Sequence, residues 1–222
     1  MPLLRLPSSP RTHDLVRVAT TAALTSCPAD APRPGWVDAA LGGPGGGWAV
    51  VRRSPADAGL VSVGVRGDTR DKRWPARVAS SDIVELVRPQ GVPRSPRPGR
   101  AGLRPFLGLQ RAGAILDEFF PDAWGVTGSL AFELVTGAET ARNDSDIDIT
   151  ILAPQPLDRR AATDAAAGVL SAAAVPVDLQ VETPVGAFAL DEWIREAGLR
   201  PVALRTIEGP RLVLNPWSPS CR

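Results

Sequence analysis

Two short patterns in the second half of the chain could bind and move a phosphoryl group. The first is Gly-Val-Thr-Gly-Ser at residues 125–129, and the second is Asp-Ile-Asp at residues 146–148. Alternate side chains of a β-strand share a face, so Asp146 and Asp148 would project together while Ile147 faces the core. Two carboxylates held in this way could bind Mg²⁺, which neutralises phosphate charge during phosphoryl transfer. We therefore predict Asp146 and Asp148 as catalytic, metal-binding residues.

The glycine and serine at the end of the first pattern could bind phosphates. Residues 129–136 have the pattern of a helix that ends at Gly137. The N-terminus of such a helix offers free backbone N–H groups and the positive end of the helix dipole, and glycine lets an anion approach closely. We predict that Gly128 and Ser129 bind substrate phosphates.

The aspartates at positions 144, 146 and 148 have two alternative interpretations. One is a calcium-binding loop, which would need further oxygen ligands and a glycine just downstream, whereas residues 149–152 continue as an apolar strand. The other is a strand face that only keeps the protein soluble. The order of turn, helix, loop and aspartate-bearing strand favours the catalytic interpretation.

A third carboxylate on a neighbouring strand could complete a site for two metal ions. Residues 175–182 alternate between apolar and polar side chains, with Asp178, Gln180 and Glu182 on one face. We predict Asp178 as the third metal ligand and keep Glu182 as the alternate. A face that simply contacts water is the remaining interpretation.

Charge is divided between the two halves of the chain, although the formal net charge is only +1. Residues 52–111 hold thirteen Lys and Arg against five Asp and Glu, whereas residues 112–222 hold sixteen acidic residues against eight basic ones. An acidic metal site and a separate basic surface suit an enzyme with a polyanionic substrate. Contacts to substrate phosphates or to an acidic protein are predicted for four basic residues: Arg66, Arg70, Lys72 and Arg73. A solvated basic turn explains them equally well.

Several classes of partner are not supported by the sequence. Basic and aromatic residues are not interleaved as nucleic-acid stacking surfaces require, so we expect no nucleic acid. No apolar run reaches the roughly 20 residues that span a bilayer, and the N-terminus lacks a signal peptide's apolar core, so we expect no membrane and a cytoplasmic location. Cys27 and Cys221 show neither metal-ligand nor disulfide spacing. We interpret His13, the only histidine, as structural or exposed.

A segment rich in proline and glycine, residues 88–100, is the best domain boundary. We predict an N-terminal domain at residues 1–88, a linker at 89–105 and a second, mixed α and β domain at 106–222. In the first domain we expect strands at 14–18, 48–52 and 60–65 and a helix from 81 to 87. In the second we expect helices at 106–120, 161–172 and 187–197, and paired strands at 202–206 and 211–214.

Short motifs spread over most of the chain resemble those of one enzyme family. They occur in the expected order in both halves and span about residues 11 to 217. The motifs are residues 11–16, 63–67, 72–74, 128–129, 146–148, 177–188, 204–210 and 216–217. This set resembles the phosphoribosyl-dephospho-CoA transferases, also called malonate decarboxylase holo-acyl-carrier-protein synthases.

The resemblance implies an α+β protein with a DNA-polymerase-β-like nucleotidyltransferase core after a smaller N-terminal α/β domain. It implies transfer of 2′-(5″-triphosphoribosyl)-3′-dephospho-CoA to a serine of the apo acyl-carrier subunit of malonate decarboxylase, with diphosphate released and Mg²⁺ as cofactor. Matching positions make Asp146 and Asp148 the catalytic metal ligands, Gly128 and Ser129 the triphosphate-binding pair, and Asp178 the residue that completes the site. The alternatives are a nucleotidyltransferase with another small-molecule or protein acceptor, and a binding protein without catalysis.

Overall fold

In a computed structural model, the chain folds into two β-sheets with associated helices. The structure describes residues 9–43, 46–69, 71–196 and 199–218. Within these ranges each half of the chain forms a six-stranded sheet of its own. The predicted α+β class with two structural units is confirmed.

The N-terminal sheet is antiparallel, with the strand order β2-β5-β4-β3-β1-β6. Its core is built from buried valine, leucine and tryptophan side chains, and one helix, α1 (Trp36–Gly42), packs against β4. The strands are β1 (Leu15–Val18), β2 (Thr25–Ser26), β3 (Trp48–Val51), β4 (Leu60–Arg66), β5 (Arg73–Ala79) and β6 (Ile83–Val87).

The helix predicted for residues 81–87 is wrong. A short 3-10 turn, Ser80–Asp82, leads directly into strand β6. The β-branched residues of this segment favour an extended backbone. The edge of β1 also supplies antiparallel partners, with Leu15 opposite Val87. Tertiary pairing therefore decided the conformation.

The C-terminal sheet is mixed, with the order β12-β11-β10-β9-β8-β7. Strands β8 and β9 are parallel, and the other neighbouring pairs are antiparallel. The strands are β7 (Trp124–Val126), β8 (Ile147–Leu152), β9 (Val177–Thr183), β10 (Gly186–Ala189), β11 (Val202–Thr206) and β12 (Gly209–Val213). The helices are α2 (Arg104–Phe119), α3 (Gly128–Thr136), α4 (Arg159–Ala173) and α5 (Leu190–Glu196).

The predicted elements of this half are largely present. The helices at 106–120, 129–136 and 161–172 and the paired strands near the C-terminus are confirmed. The helix predicted for residues 187–197 begins only at Leu190, because residues 186–189 pair with β9 as strand β10. Residues 197 and 198 lie outside the described ranges.

Helices α2 and α4 pack against each other and cover one face of the C-terminal sheet. The close approach requires Gly108, where a Cβ would lie 2.5 Å from the carbonyl oxygen of Ala173. Ile147, Ile149 and Ile151 of β8 are buried in this core. Because the side-chain period of a strand is two, the residues between these isoleucines face the opposite side.

The proline-rich segment that joins the two sheets packs on the C-terminal unit. Pro89 is buried, and its backbone lies so close to β7 that a Cβ at Gly125 would overlap it. Farther along, Arg94 lies over the ring of Trp124, 4.1 Å from its centroid, and donates to Asp117. None of the helices in the described ranges is long and apolar enough to cross a membrane.

Candidate active site

A cavity of about 520 Å³ brings most of the predicted site residues together. It receives side chains from both the N-terminal and the C-terminal sheet. We call it the catalytic cavity. The predicted residues that line it are Asp146, Asp148, Asp178, Gly128, Ser129, Arg66 and Arg73.

The three aspartates come from two neighbouring parallel strands. The register of β8 and β9 places Asp148 directly beside Asp178, one strand spacing away. Asp146 immediately precedes β8 and is separated from Asp148 by the buried Ile147. Asp146 and Asp148 are half-buried, whereas Asp178 is exposed. The carboxylates therefore line the cavity with different access to solvent.

Helix α3 begins directly against one of these carboxylates. Gly128 has a φ of +65°, and a Cβ there would overlap the Asp148 carboxylate. The backbone N–H of Thr127 donates to the carbonyl oxygen of Asp148 at 2.8 Å. Glycine is thus required both by the left-handed backbone and by the available space. The arrangement brings the positive end of the helix dipole to the aspartates.

A buried ion pair fixes the loop between α3 and β8. Glu133 accepts two hydrogen bonds from the guanidinium of Arg100, at 2.7 and 3.1 Å. The backbone N–H groups of Thr140 and Ala141 also donate to Glu133, at 2.9 and 2.8 Å. The Thr140 hydroxyl donates to the carbonyl oxygen of Ser129 at 2.7 Å. These bonds therefore connect the start of α3 to the loop that leads into β8.

The N-terminal sheet contributes arginines to the catalytic cavity. Arg66 and Arg73 are opposite each other in the β4–β5 pair, and both line the cavity. Lys72 does not line it; its ammonium nitrogen lies 2.9 Å from Asp68 in the turn between these strands. Arg70 lies outside the described residues. Arg73 therefore lines the catalytic cavity, whereas its neighbour Lys72 does not.

Three further residues, which were not predicted to belong to the site, line the catalytic cavity: His13, Gln180 and Arg205. The Nε2 atom of Gln180 lies 2.9 Å from Nε2 of His13, and Arg205 donates to Oε1 of Gln180 at 2.7 Å. Burial lowers the pKa of His13, an effect that Glu182 partly opposes. Its ring is therefore neutral at pH 7, and Nε2 can accept a hydrogen bond from the side-chain amide of Gln180. Gln180 could have been predicted as a site residue, because the alternation of apolar and polar residues puts it on the same strand face as Asp178.

Glu182, the alternate third ligand, is not among the lining residues of the catalytic cavity. Its Oε1 atom accepts hydrogen bonds from Arg53, at 2.5 Å, and from Gln180, at 2.8 Å. Arg53 compensates the charge of Glu182, and Gln180 adds a neutral hydrogen bond.

The aspartates have the chemistry to hold a magnesium ion together with a phosphate ligand. Among the described residues, no three His, Cys, Asp or Glu side chains are grouped closely enough to form a preformed metal site. Mg²⁺ is usually bound by one or two carboxylates, several waters and the substrate's phosphates, rather than by an all-protein cage. Asp146 and Asp148 provide the two carboxylates, and Asp178 lies beside them.

Comparison with known proteins identifies the family. Residues 11–89 match the model of the phosphoribosyl-dephospho-CoA transferase MdcG N-terminal domain, and residues 97–216 match that of the C-terminal domain. The chain belongs to the phosphoribosyl-dephospho-CoA transferase family. It is therefore a transferase enzyme, and the predicted family is confirmed.

Individual relatives support this conclusion over nearly the whole chain. A phosphoribosyl-dephospho-CoA transferase of Pseudomonas putida (strain GB-1) is 37% identical over 213 residues, which cover 95% of this chain and 97% of the relative. The protein of the same name from Klebsiella pneumoniae is 38% identical over 223 residues, covering 96% and 98%. No solved structure matches the chain. Both family domains of this transferase contribute to the catalytic cavity.

Proposed function

We propose that this transferase attaches a phosphoribosyl-dephospho-CoA group to a serine of the apo acyl-carrier subunit of malonate decarboxylase. The proposed donor is 2′-(5″-triphosphoribosyl)-3′-dephospho-CoA. The observation that carries the proposal is the contact between Gly128, at the start of α3, and the carboxylate of Asp148. It puts an anion-binding turn and a metal-binding side chain against each other, as transfer from a triphosphate requires.

The proposed reaction is a displacement at the α-phosphorus of the donor. The carrier serine oxygen forms a bond to this phosphorus, and the bond from phosphorus to the oxygen bridging the α- and β-phosphates breaks. Diphosphate leaves with the bond electrons, and the serine proton passes to a base. The carrier keeps the α-phosphate as a phosphodiester.

Each part of the cavity has a proposed role in this reaction. Asp146 and Asp148 would hold Mg²⁺, which when bound supplies positive charge to the phosphates and the leaving group. The backbone at Gly128 and Ser129 would bind the phosphates that leave as diphosphate. Arg66 and Arg73 add positive charge from the other sheet.

Asp178 is the proposed acceptor of the serine proton. It is exposed and lies beside Asp148, so a carrier serine entering the cavity can reach it. An Asp178→Asn variant should therefore change the pH dependence of the rate as well as its size. A pH–rate profile with the same shape as that of the parent enzyme would count against this role.

Diphosphate release tests the donor and the acceptor separately. With triphosphoribosyl-dephospho-CoA, release should depend on the carrier and stop when its acceptor serine is replaced by alanine. ATP and CTP should release little diphosphate. Faster turnover of ATP or CTP, or release that does not need the carrier, would favour a nucleotidyltransferase with another acceptor. The cytoplasmic location stays a prediction.

A further inference from the structure

A second cavity, of about 640 Å³, adjoins the catalytic cavity along strands β8 and β9. Asp148 and Gln180 line the catalytic cavity, whereas the next residues on the same strand faces, Thr150 and Glu182, line the second one. We call the second one the distal cavity. Because each strand residue advances by about 3.3 Å, the two cavities lie side by side within one substrate's reach.

The distal cavity has basic walls. Its lining includes four arginines, Arg11, Arg52, Arg53 and Arg88, but only two acidic residues, Asp14 and Glu182. Glu182 is compensated by its ion pair with Arg53. The Asp14 carboxylate is buried and accepts a hydrogen bond from the backbone N–H of Arg11 at 2.8 Å. The excess of guanidinium groups favours an anionic ligand.

A buried hydroxyl in the same cavity has no hydrogen-bond partner within the part of the chain that the structure describes. Thr150 is 3% exposed, and its Oγ1 atom makes no hydrogen bond among the described residues. Buried hydroxyl groups are normally hydrogen-bonded, so those without a partner mark places where a ligand or water completes the structure. Thr150 is two residues from Asp148 on the same face of β8.

A wall of hydrogen-bonded side chains stands between the two cavities. Gln180 is at its centre, with His13 at 2.9 Å and Glu182 at 2.8 Å from the same amide nitrogen. Arg205 donates to the Gln180 oxygen, and Arg53 donates to Glu182. The two cavities can therefore hold two charged groups of one ligand at a fixed separation.

We propose that the distal cavity binds the adenosine 5′-diphosphate end of the dephospho-CoA donor while the catalytic cavity binds its triphosphate. This inference rests on the proposed function, because that donor carries two phosphate-bearing ends on two riboses. Binding of the end that does not react selects this donor over an ordinary nucleoside triphosphate. It also provides remote binding energy that orients the α-phosphorus.

Calorimetric titration with dephospho-CoA, which lacks the triphosphoribosyl group, tests the distal cavity alone. The full-length enzyme should bind it without Mg²⁺. Arg52→Gln should weaken binding about tenfold through loss of a charged hydrogen bond, and Thr150→Val should weaken it about fivefold. Arg111→Gln, an exposed residue of α2 that lines neither cavity, is the charge-matched control and should bind like the parent enzyme.

Three results would overturn the assignment. The first is dephospho-CoA binding that needs Mg²⁺ and is lost in Asp146→Ala. The second is equal binding of dephospho-CoA by Arg52→Gln, Thr150→Val and the parent enzyme. The third is inorganic diphosphate binding as tightly as dephospho-CoA. The transfer reaction separates this inference from the proposed function. Transfer to the carrier with an unchanged donor KM in Arg52→Gln would refute only the distal site. Dephospho-CoA binding as expected, but without transfer, would refute the proposed function.

Discussion

At the scale of single residues, the site depends on one glycine that touches one carboxylate. The sequence predicted both Gly128 and Asp148 from chemistry alone, since a phosphate-binding turn and an Asp-x-Asp strand have recognisable patterns. It could not predict that the two residues are in contact, because the contact depends on how α3 and β8 pack. The same reason explains why His13 was interpreted as structural or exposed.

A Gly128→Ala substitution should damage both stability and activity. The added Cβ would overlap the Asp148 carboxylate and require a φ of +65° from alanine. We expect a loss of about 1–3 kcal/mol in the free energy of unfolding, measured in urea, and a fall in kcat of about a hundredfold or more. Gly102→Ala is the matched control, since nothing lies within 4 Å of a Cβ there. Equal behaviour of the two variants would refute the contact.

Asp14 should make stability depend on pH. Burial raises the pKa of this carboxyl from its ordinary value of 3.8 to about 6, so the folded state binds the proton more tightly than the unfolded chain. The stabilising contribution of this group is complete below about pH 4 and is lost as the pH rises through 6. Asp14→Asn should therefore gain stability relative to the parent enzyme between pH 4 and pH 7. Urea unfolding at pH 4 and pH 7 measures the difference in the free energy of unfolding between the variant and the parent enzyme. The same difference at both pH values would contradict the prediction.

At the scale of elements, strong apolar periodicity was sufficient to predict a helix or strand from the sequence. Pairing between strands that are distant in the sequence could not be predicted in this way. Helix α2 and strands β8 and β9 were predicted because their apolar residues repeat with a clear period. The segment at 81–87 was assigned to a helix because Ser81 resembles an N-cap, whereas pairing with β1 makes it strand β6. Strand β5 was not predicted, although Trp74, Ala76 and Val78 alternate inward. Arg73, the first residue of this strand, was predicted either to contact substrate phosphates or an acidic protein or to belong to a solvated basic turn.

The buried ion pair between Glu133 and Arg100 should be important for the loop that leads into β8. Glu133→Ala would remove the acceptor of two hydrogen bonds from Arg100 and of one each from the backbone N–H groups of Thr140 and Ala141, while Arg100 would keep its bond to the carbonyl oxygen of Ala141. We expect a loss of about 3–5 kcal/mol in the free energy of unfolding and a fall in kcat, because this loop precedes the aspartates that we predict to be catalytic. Chemical unfolding and steady-state kinetics measure the two effects.

Glu139→Ala provides the comparison for this prediction. Glu139 approaches the same arginine, at 3.4 Å, but its side chain is 70% exposed. Exposed pairs contribute about 0–1 kcal/mol, so this variant should remain close to the parent enzyme. Similar losses in Glu133→Ala and Glu139→Ala would show that burial of Glu133 is not what fixes the loop.

At the scale of the whole molecule, the catalytic cavity is lined by residues of both sheets. The separation of basic and acidic charge along the sequence favoured an enzyme with a polyanionic substrate. It could not show which basic residues reach the cavity. Arg73 begins strand β5 and lines the cavity, whereas the preceding Lys72 pairs with Asp68 in the turn.

These neighbouring positions provide a paired test of the two-sheet site. Arg73→Gln should raise the KM for the donor about tenfold, as expected for a lost charged contact to phosphate. Lys72→Gln should leave the KM almost unchanged, since its side chain does not line the cavity. Steady-state kinetics with varied donor distinguish the two. A larger effect on KM at Lys72 than at Arg73 would contradict the placement of these two side chains in the structure.

Intact-mass spectrometry of the apo acyl-carrier subunit is the most direct test of the proposed transferase and its site. The carrier is incubated with this enzyme, Mg²⁺ and triphosphoribosyl-dephospho-CoA. We expect a gain equal to one phosphoribosyl-dephospho-CoA group with the parent enzyme and with Asp144→Ala, an exposed neighbour that does not line the cavity. Asp146→Ala should be slower by about a thousandfold. No gain with the parent enzyme while the donor stays intact, or a tenth of the activity retained in Asp146→Ala, would contradict the account.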